Sequence, residues 1–377
     1  MLSFWEHKTF THYDYIIIGG GITGLSTACA IKEKRPKASV LLLERGLMPS
    51  GASTKNAGFA CVGSFSEKQS DLELMGEDAF LKLIEDRWVG LYLLRKRLGD
   101  DNIDFQHNGG FELVMQKDSV NSDKIYDMNV LLQRIFNDKV FYEKPELVER
   151  FGFNKDMVKS IILNPFEGQL DTGKMMQTLS NYAGILRIKM LTGAEVKNVT
   201  ELPNAVAVSV KSSFNETLTF TCDKVAYCTN AFSKQFFPDI DITPGRGQVI
   251  CTSPIENLPF KGVFSFDEGY YYFRNIDNRI IFGGGRNLDF EAEQTTDFAP
   301  NSKIIQQLEF YLAEMIAPQQ QYTIDYQWQG IMAFGKNKLP IVQKLSDRQF
   351  IGARLNGMGI ALGSKIADEL CTMMLTS

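Results

Sequence analysis

Residues 13–46 read YDYIIIGGGITGLSTACAIKEKRPKASVLLLERG. Tyr15–Ile18 is an apolar, β-branched run of the length of a buried parallel strand. It breaks into Gly19-Gly20-Gly21-Ile22-Thr23-Gly24, and a helical pattern follows through Lys32. A second apolar run, Val40–Leu43, ends in Glu44, twenty residues after Gly24. Strand, glycine turn, helix, strand and acid in this order form a dinucleotide-binding fingerprint. Gly19 permits the turn, Gly21 lets the backbone approach a pyrophosphate, and Gly24 lets the helix lie against the strand. The helix start offers unpaired N–H groups and the positive end of its dipole to phosphates. Glu44 would accept hydrogen bonds from ribose hydroxyls. By itself the motif serves FAD and NAD alike.

A chain of 377 residues exceeds one ordinary core, so two domains are expected. Hydrophobic content of 44% and charge of 23% are those of a globular protein. The net charge of −5, with no basic run, argues against a nucleic-acid partner. The six cysteines are scattered without a CxxC, and three histidines are too few for a metal cluster, so neither a disulfide framework nor a metal site is expected. The first twelve residues, MLSFWEHKTFTH, carry no signal or transit character, and no stretch reaches eighteen consecutive apolar residues. A protein with no membrane span, located in the cytoplasm, is the expectation.

Beyond Glu44 the chain changes pattern several times. Ala52–Phe65 is rich in small residues and poor in charge, suited to passing close to a flat, bulky group. Residues 71–99 are helical by their apolar spacing, and Phe111–Met115, Ser122–Phe136, Pro145–Phe151 and Val158–Leu163 read as strand, helix, short helix and strand. At Glu167 the α/β character returns: a helix over Thr172–Tyr182, a strand over Arg187–Leu191, strand pieces Ala205–Val210 and Thr217–Thr221 framing a polar hairpin at Lys211–Glu216, and a buried strand, Lys224–Cys228, ending at Thr229-Asn230-Ala231. Hairpin strands follow at Gly247–Thr252, Tyr270–Arg274 and Arg279–Phe282, with a turn at Ile276-Asp277-Asn278. Then come a helix over Ser302–Ala317, strands at Tyr322–Trp328 and Gln349–Ala353, and a helix opened by Asn356-Gly357-Met358-Gly359. The fold class expected is α/β plus α+β: a Rossmann-type domain from residues 13–66, 165–235 and 325–377, interleaved with a mostly antiparallel-sheet substrate domain from residues 67–164 and 236–324.

Five segments together resemble the D-amino-acid oxidase superfamily of FAD-dependent oxidoreductases, nearest its glycine/sarcosine-oxidase-like branch and γ-glutamylputrescine-oxidase-like members. They are the fingerprint with Glu44; Gly51-Ala52-Ser53-Thr54-Lys55-Asn56-Ala57-Gly58; Gln169-Leu170-Asp171 with Val196; Ala226–Ala231 with Pro244-Gly245-Arg246-Gly247-Gln248; and Trp328-Gln329-Gly330 with Pro340 and Asn356–Gly359. Tyr271–Gly285 is also similar to the amine-oxidising branch. The resemblance implies FAD rather than NAD, held by Gly19, Gly21, Ile22, Thr23, Gly24, Glu44, Arg45, Ser53, Asn56, Ala57, Gly58, Val196, Thr229, Asn230, Gly357, Met358, Gly359 and Ile360. Ile331–Gly335 lacks the cysteine through which some relatives attach flavin, so the FAD is expected to be noncovalent. Met332 or a neighbour stands where amino-acid oxidisers of the family carry a carboxylate-holding arginine. No lysine occupies the strand Arg279–Gly285, where sarcosine oxidases have one that assists oxygen.

The reaction implied is oxidation of the C–N bond of a small amine or amino acid, by hydride transfer to flavin N5 and hydrolysis of the imine, with oxygen or another acceptor taking the electrons. Tyr271, Tyr272, Phe273, Trp328, Met332 and Phe334 are candidate pocket walls. Arg246, Arg274, Arg286, Lys336 and Arg354 are candidate partners for an anionic group, and Cys61 lies beside the flavin loop. Two other readings stand beside this one: a flavoprotein dehydrogenase of a 2-hydroxy acid, and a non-catalytic FAD-binding subunit.

Overall fold

The computed structural model describes residues 2–211 and 217–377. Nearly all of the hairpin expected at Lys211–Glu216 lies outside these. Two eight-stranded sheets organise the rest. In the first, Gln349–Ala353, Thr217–Tyr227, His12–Ile18, Val40–Leu43 and Lys189–Leu191 lie side by side and parallel. Ile341–Lys344 adds an antiparallel edge. Val206–Lys211 and Val196–Glu201 extend antiparallel from the first half of Thr217–Tyr227. The central strands read as continuous apolar runs because both faces are covered. Ile16, Ile17, Leu41 and Leu42 are completely buried.

The helix Ile22–Lys34 follows the first strand through Gly19–Gly21. It packs against the C-terminal helix Gly359–Thr376, which also packs on Glu77–Leu98. The two helices that meet at the sheet's carboxyl edge therefore both begin at one end of the molecule.

The second sheet runs in the order Ile324–Phe334, Thr243–Thr252, Arg279–Gly284, Tyr271–Ile276, Val263–Phe266, Gly110–Met115, Val158–Asn164, Tyr142–Glu143. Its pairings are antiparallel except Val263–Phe266 with Gly110–Met115. One face buries an aromatic core in which Phe264 stacks on Phe273 at 4.8 Å and on Phe111 at 4.9 Å. Asp277 and Asn278, both at positive φ, turn the hairpin between Tyr271–Ile276 and Arg279–Gly284.

Several elements differ from the sequence expectation. Thr217–Thr221 and Lys224–Cys228 are one continuous strand, Thr217–Tyr227, because Cys222 pairs with both Tyr13 and Val206 and carries the strand through. The helix expected over 71–99 is two helices, Phe65–Met75 and Glu77–Leu98, broken at Gly76. The strand expected to stop at Trp328 runs on to Phe334, paired with Thr243–Thr252. Phe4–Phe10, Val263–Phe266 and Ile341–Lys344 are elements the periodicity did not mark.

Candidate active site

Gly19 adopts φ 109°, and a Cβ on it would stand 2.6 Å from the Cys228 carbonyl oxygen. A Cβ on Gly24 would overlap the Gly19 carbonyl oxygen, so the helix can approach the strand only with glycine there. The turn brings Gly20 N–H to Glu44 Oε2 at 2.8 Å, while Glu44 Oε1 accepts from Gly46 N–H at 2.9 Å. Ser53 Oγ accepts from Ile22 N–H at 2.9 Å. Among the described residues the amides of Gly21, Thr23 and Gly24 find no acceptor. The C-terminal helix presents the same arrangement. Its N-cap, Met358, makes no side-chain cap, and the amides of Gly359, Ile360 and Ala361 are free among the described residues.

Both helix starts open into one cavity of about 460 Å³. Its fingerprint end includes Gly19, Gly21, Ile22, Thr23, Glu44, Arg45, Ser53, Asn56, Ala57, Val196, Thr229 and Asn230; Gly357, Met358, Gly359 and Ile360 also line it. Arg45 lies over the Phe232 ring at 3.7 Å. The Asn56 side chain is consumed within the protein, accepting from Gly58 N–H and from the Thr172 hydroxyl at the start of the helix Thr172–Ile185 and donating to two carbonyls of its own loop. Gly24 and Gly58 lie outside the lining. Gly24 works through helix packing, and the Gly58 carbonyl oxygen accepts from Leu170 N–H and the buried Arg274 guanidinium. A dinucleotide suits this end: free amides at a helix start for phosphates, a buried carboxylate for ribose, and small residues along the wall.

The cavity continues along the second sheet, where Phe59, Tyr272, Met332, Phe334 and Arg286 line it. The Tyr272 ring meets Phe59 edge-on at 5.7 Å, its hydroxyl has no protein partner among the described residues, and burial pushes its pKa up to about 12. Of the wall candidates named from the sequence, Tyr271, Phe273 and Trp328 do not line this cavity. Tyr271 and Phe273 point to the opposite face of their strand, into the aromatic core, where Tyr271 stacks on Phe266 at 4.8 Å. Trp328 lies outside the lining and donates from Nε1 to the Lys55 carbonyl at 2.9 Å, fastening the loop to the sheet.

Most of the expected anion partners are already engaged. Arg246 forms a buried bidentate pair with Glu293, at 2.7 and 2.9 Å. Against the push of burial, bonds from Arg246, Asn301 and Gln248 hold the Glu293 carboxyl below its ordinary range. Arg274 donates to the Gly58 and Leu170 carbonyls, and burial lowers its pKa to about 10. Arg354 pairs with Asp241. Lys336 lies outside the lining. Arg286 lies over the Phe334 ring at 3.9 Å and over Phe290 at 4.9 Å. Cys61 lines the cavity as a thiol whose pKa burial drives upward.

Sequence reading missed a buried acidic group on the wall. Glu67, Glu112 and Glu167 line the cavity around Gly63. Glu167 Oε1 accepts from Val62 and Gly63 N–H at 3.0 and 3.1 Å, and burial raises its pKa to about 7 against the pull of Lys68 and those amides. Glu112 accepts from Ser66 N–H, and burial raises it too. Glu67 is held low despite burial by Arg87, Lys338 and Lys68. The one local signal was an acid inside the apolar run Phe111–Met115, every residue of which is buried.

Among the described residues no group of three or more His, Cys, Asp or Glu could hold a metal, and no helix is long and apolar enough to cross a membrane. The chain is 22% identical over 368 residues to a probable oxidoreductase, OrdL, of Haemophilus influenzae, covering 93% of this chain and 80% of the relative. The OrdL protein of Rhizobium meliloti is 23% identical over 280 residues, and the match spans 63% of its length. In fold the chain is similar to L-proline dehydrogenase from P. horikoshii (TM-score 0.77, 17% identity, covering 97% of this chain and 94% of the other). It is also similar to glycine oxidase from Geobacillus kaustophilus (TM-score 0.76, 19% identity, 97% and 95%). The family model for DAO, described as FAD dependent oxidoreductase, matches residues 14–373. The chain belongs to the DAO family of FAD-dependent oxidoreductases.

Proposed function

We propose that this enzyme oxidises the C–N bond of a small amine or amino acid. The observation that carries the reading is the continuity of the cavity, from the two uncapped helix starts to an aromatic and thioether wall on the second sheet. FAD, held noncovalently, supplies the two-electron acceptor for the substrate C–H bond when bound. The amides of Gly21 and Thr23 would hold its pyrophosphate, Glu44 its ribose, and the amides of Gly359 and Ile360 its electron-rich ring edge. Phe59, Tyr272, Met332 and Phe334 exclude water from the reacting carbon. A dry wall disfavours an ammonium, so it favours the neutral amine whose lone pair assists loss of hydride. Loss of hydride from carbon and a proton from nitrogen leaves an imine, which water converts to a carbonyl compound and the freed amine. Oxygen or another acceptor then takes the electrons.

The test is a substrate screen on the purified yellow protein, with peroxide detection run beside an artificial acceptor dye. Turnover of amines or amino acids supports the reading. Turnover of 2-hydroxy acids alone would replace it, and peroxide formation separates oxidase from dehydrogenase. Acid precipitation should release the flavin into solution; flavin staying with the pellet would overturn the noncovalent assignment.

A further inference from the structure

The geometry points to Arg286 as the residue that fixes the carboxylate of an amino-acid substrate, an inference that rests on reading this cavity as the amine-oxidising site. Arg286 follows the strand Arg279–Gly284, at the start of the short helical turn Arg286–Leu288. A Cβ placed on Gly245 would stand 3.5 Å from Arg286 Cδ, and Gly245 is the register partner of Met332. The side chain therefore runs past Gly245, whose register partner is Met332, with its guanidinium over the Phe334 ring on the same cavity wall.

Its surroundings set Arg286 apart from the other arginines considered. Arg246 and Arg354 are paired with carboxylates, and Arg274 is spent on backbone carbonyls. Among the described residues Arg286 has no hydrogen-bond acceptor and no carboxylate within 4.0 Å; its neighbours are the rings of Phe334 and Phe290. Aromatic rings against a guanidinium hold its orientation and leave the N–H edge free, the edge that matches the two oxygens of a carboxylate. A half-buried cation with no ion pair of its own is disfavoured, and burial lowers its pKa against the pull of Tyr270 and of Glu293, a carboxylate already paired with Arg246. An anionic ligand relieves that penalty. None of the acids of the lining, Glu44, Glu67, Glu112, Glu167, Glu195 and Glu268, forms an ion pair with Arg286 among the described residues. The side chain thus supplies a cation at the wall where Met332 does not.

The test uses the FAD-loaded protein, with benzoate and its neutral isostere benzamide as probes, and reads binding from the perturbed flavin absorption spectrum. The wild type should bind benzoate at least tenfold more tightly than benzamide. Arg286→Met should weaken benzoate roughly ten- to hundredfold while leaving benzamide unchanged. Arg286→Gln, which keeps a polar side chain, is read in the same way should the Met variant lose its flavin. A wild type that does not prefer benzoate, or a flavin-loaded variant that binds it as tightly as the wild type, would overturn the assignment. The two proposals fail separately. Amine turnover with benzoate binding untouched in Arg286→Met removes Arg286 and leaves the reaction class. Benzoate held through Arg286 without turnover of any amine or amino acid does the reverse.

Discussion

Replacing Glu167 with Gln should make the protein more stable at pH 8 and leave it nearly unchanged near pH 4. The carboxyl is buried, ionises near pH 7 rather than 4.5, and is held by the Val62 and Gly63 amides. A folded-state pKa raised above the unfolded value means that the folded protein retains the proton. The stabilisation is therefore complete below pH 4.5, falls as pH rises, and is lost once pH passes 7. The interval from 4.5 to about 7 corresponds to about 3 kcal/mol. Glutamine keeps an oxygen for the two amides and cannot ionise, so the difference between variant and wild type should grow from near zero to about 3 kcal/mol across that window. Thermal midpoints of both proteins at pH 5, 6, 7 and 8 measure it; the gap should widen by a few degrees. Glu112, also raised by burial, contributes a slope present in both proteins. A gap that stays constant from pH 5 to 8, or a variant less stable than the wild type at pH 8, would refute the reasoning.

Three further outcomes follow from the geometry. Glu44→Ala removes the proposed ribose acceptor and strands the Gly20 and Gly46 amides, so FAD affinity by equilibrium dialysis should fall roughly tenfold or more; unchanged affinity would take Glu44 out of the site. Gly24→Ala drives a methyl into the Gly19 carbonyl oxygen, which is backbone and cannot swing aside, and should destabilise the protein by roughly 1–3 kcal/mol in denaturant titrations. Arg246→Met leaves Glu293 buried without its cation and should lose roughly 3–5 kcal/mol. Adding Glu293→Gln to that variant should restore part of the loss, because the stranded charge is gone.

The two ends of the cavity were unequally legible, and the reason lies in what grips at each end. At the fingerprint end the binding groups are backbone amides at helix starts. Presenting them requires glycines at fixed spacing within a few residues, so the requirement is written locally, as Gly19–Gly24 and Gly357–Gly359. At the other end the groups are side chains brought together from distant parts of the chain. Glu167 meets Val62 across 105 positions, and Arg246 meets Glu293 across 47. Periodicity tells which residues of a strand share a face, but not which face looks into the cavity. That is why Tyr271 and Tyr272 were indistinguishable until the pairing with Arg279–Gly284 sent one into the aromatic core and the other to the lining. The same limit explains the arginines. Five cationic side chains had equal claim in the sequence, and only their partners separate them. Arg246, Arg274 and Arg354 are satisfied inside the protein and Lys336 lies outside the lining, which leaves the Arg286 guanidinium, set against two rings, as the cavity cation with no ion pair of its own among the described residues.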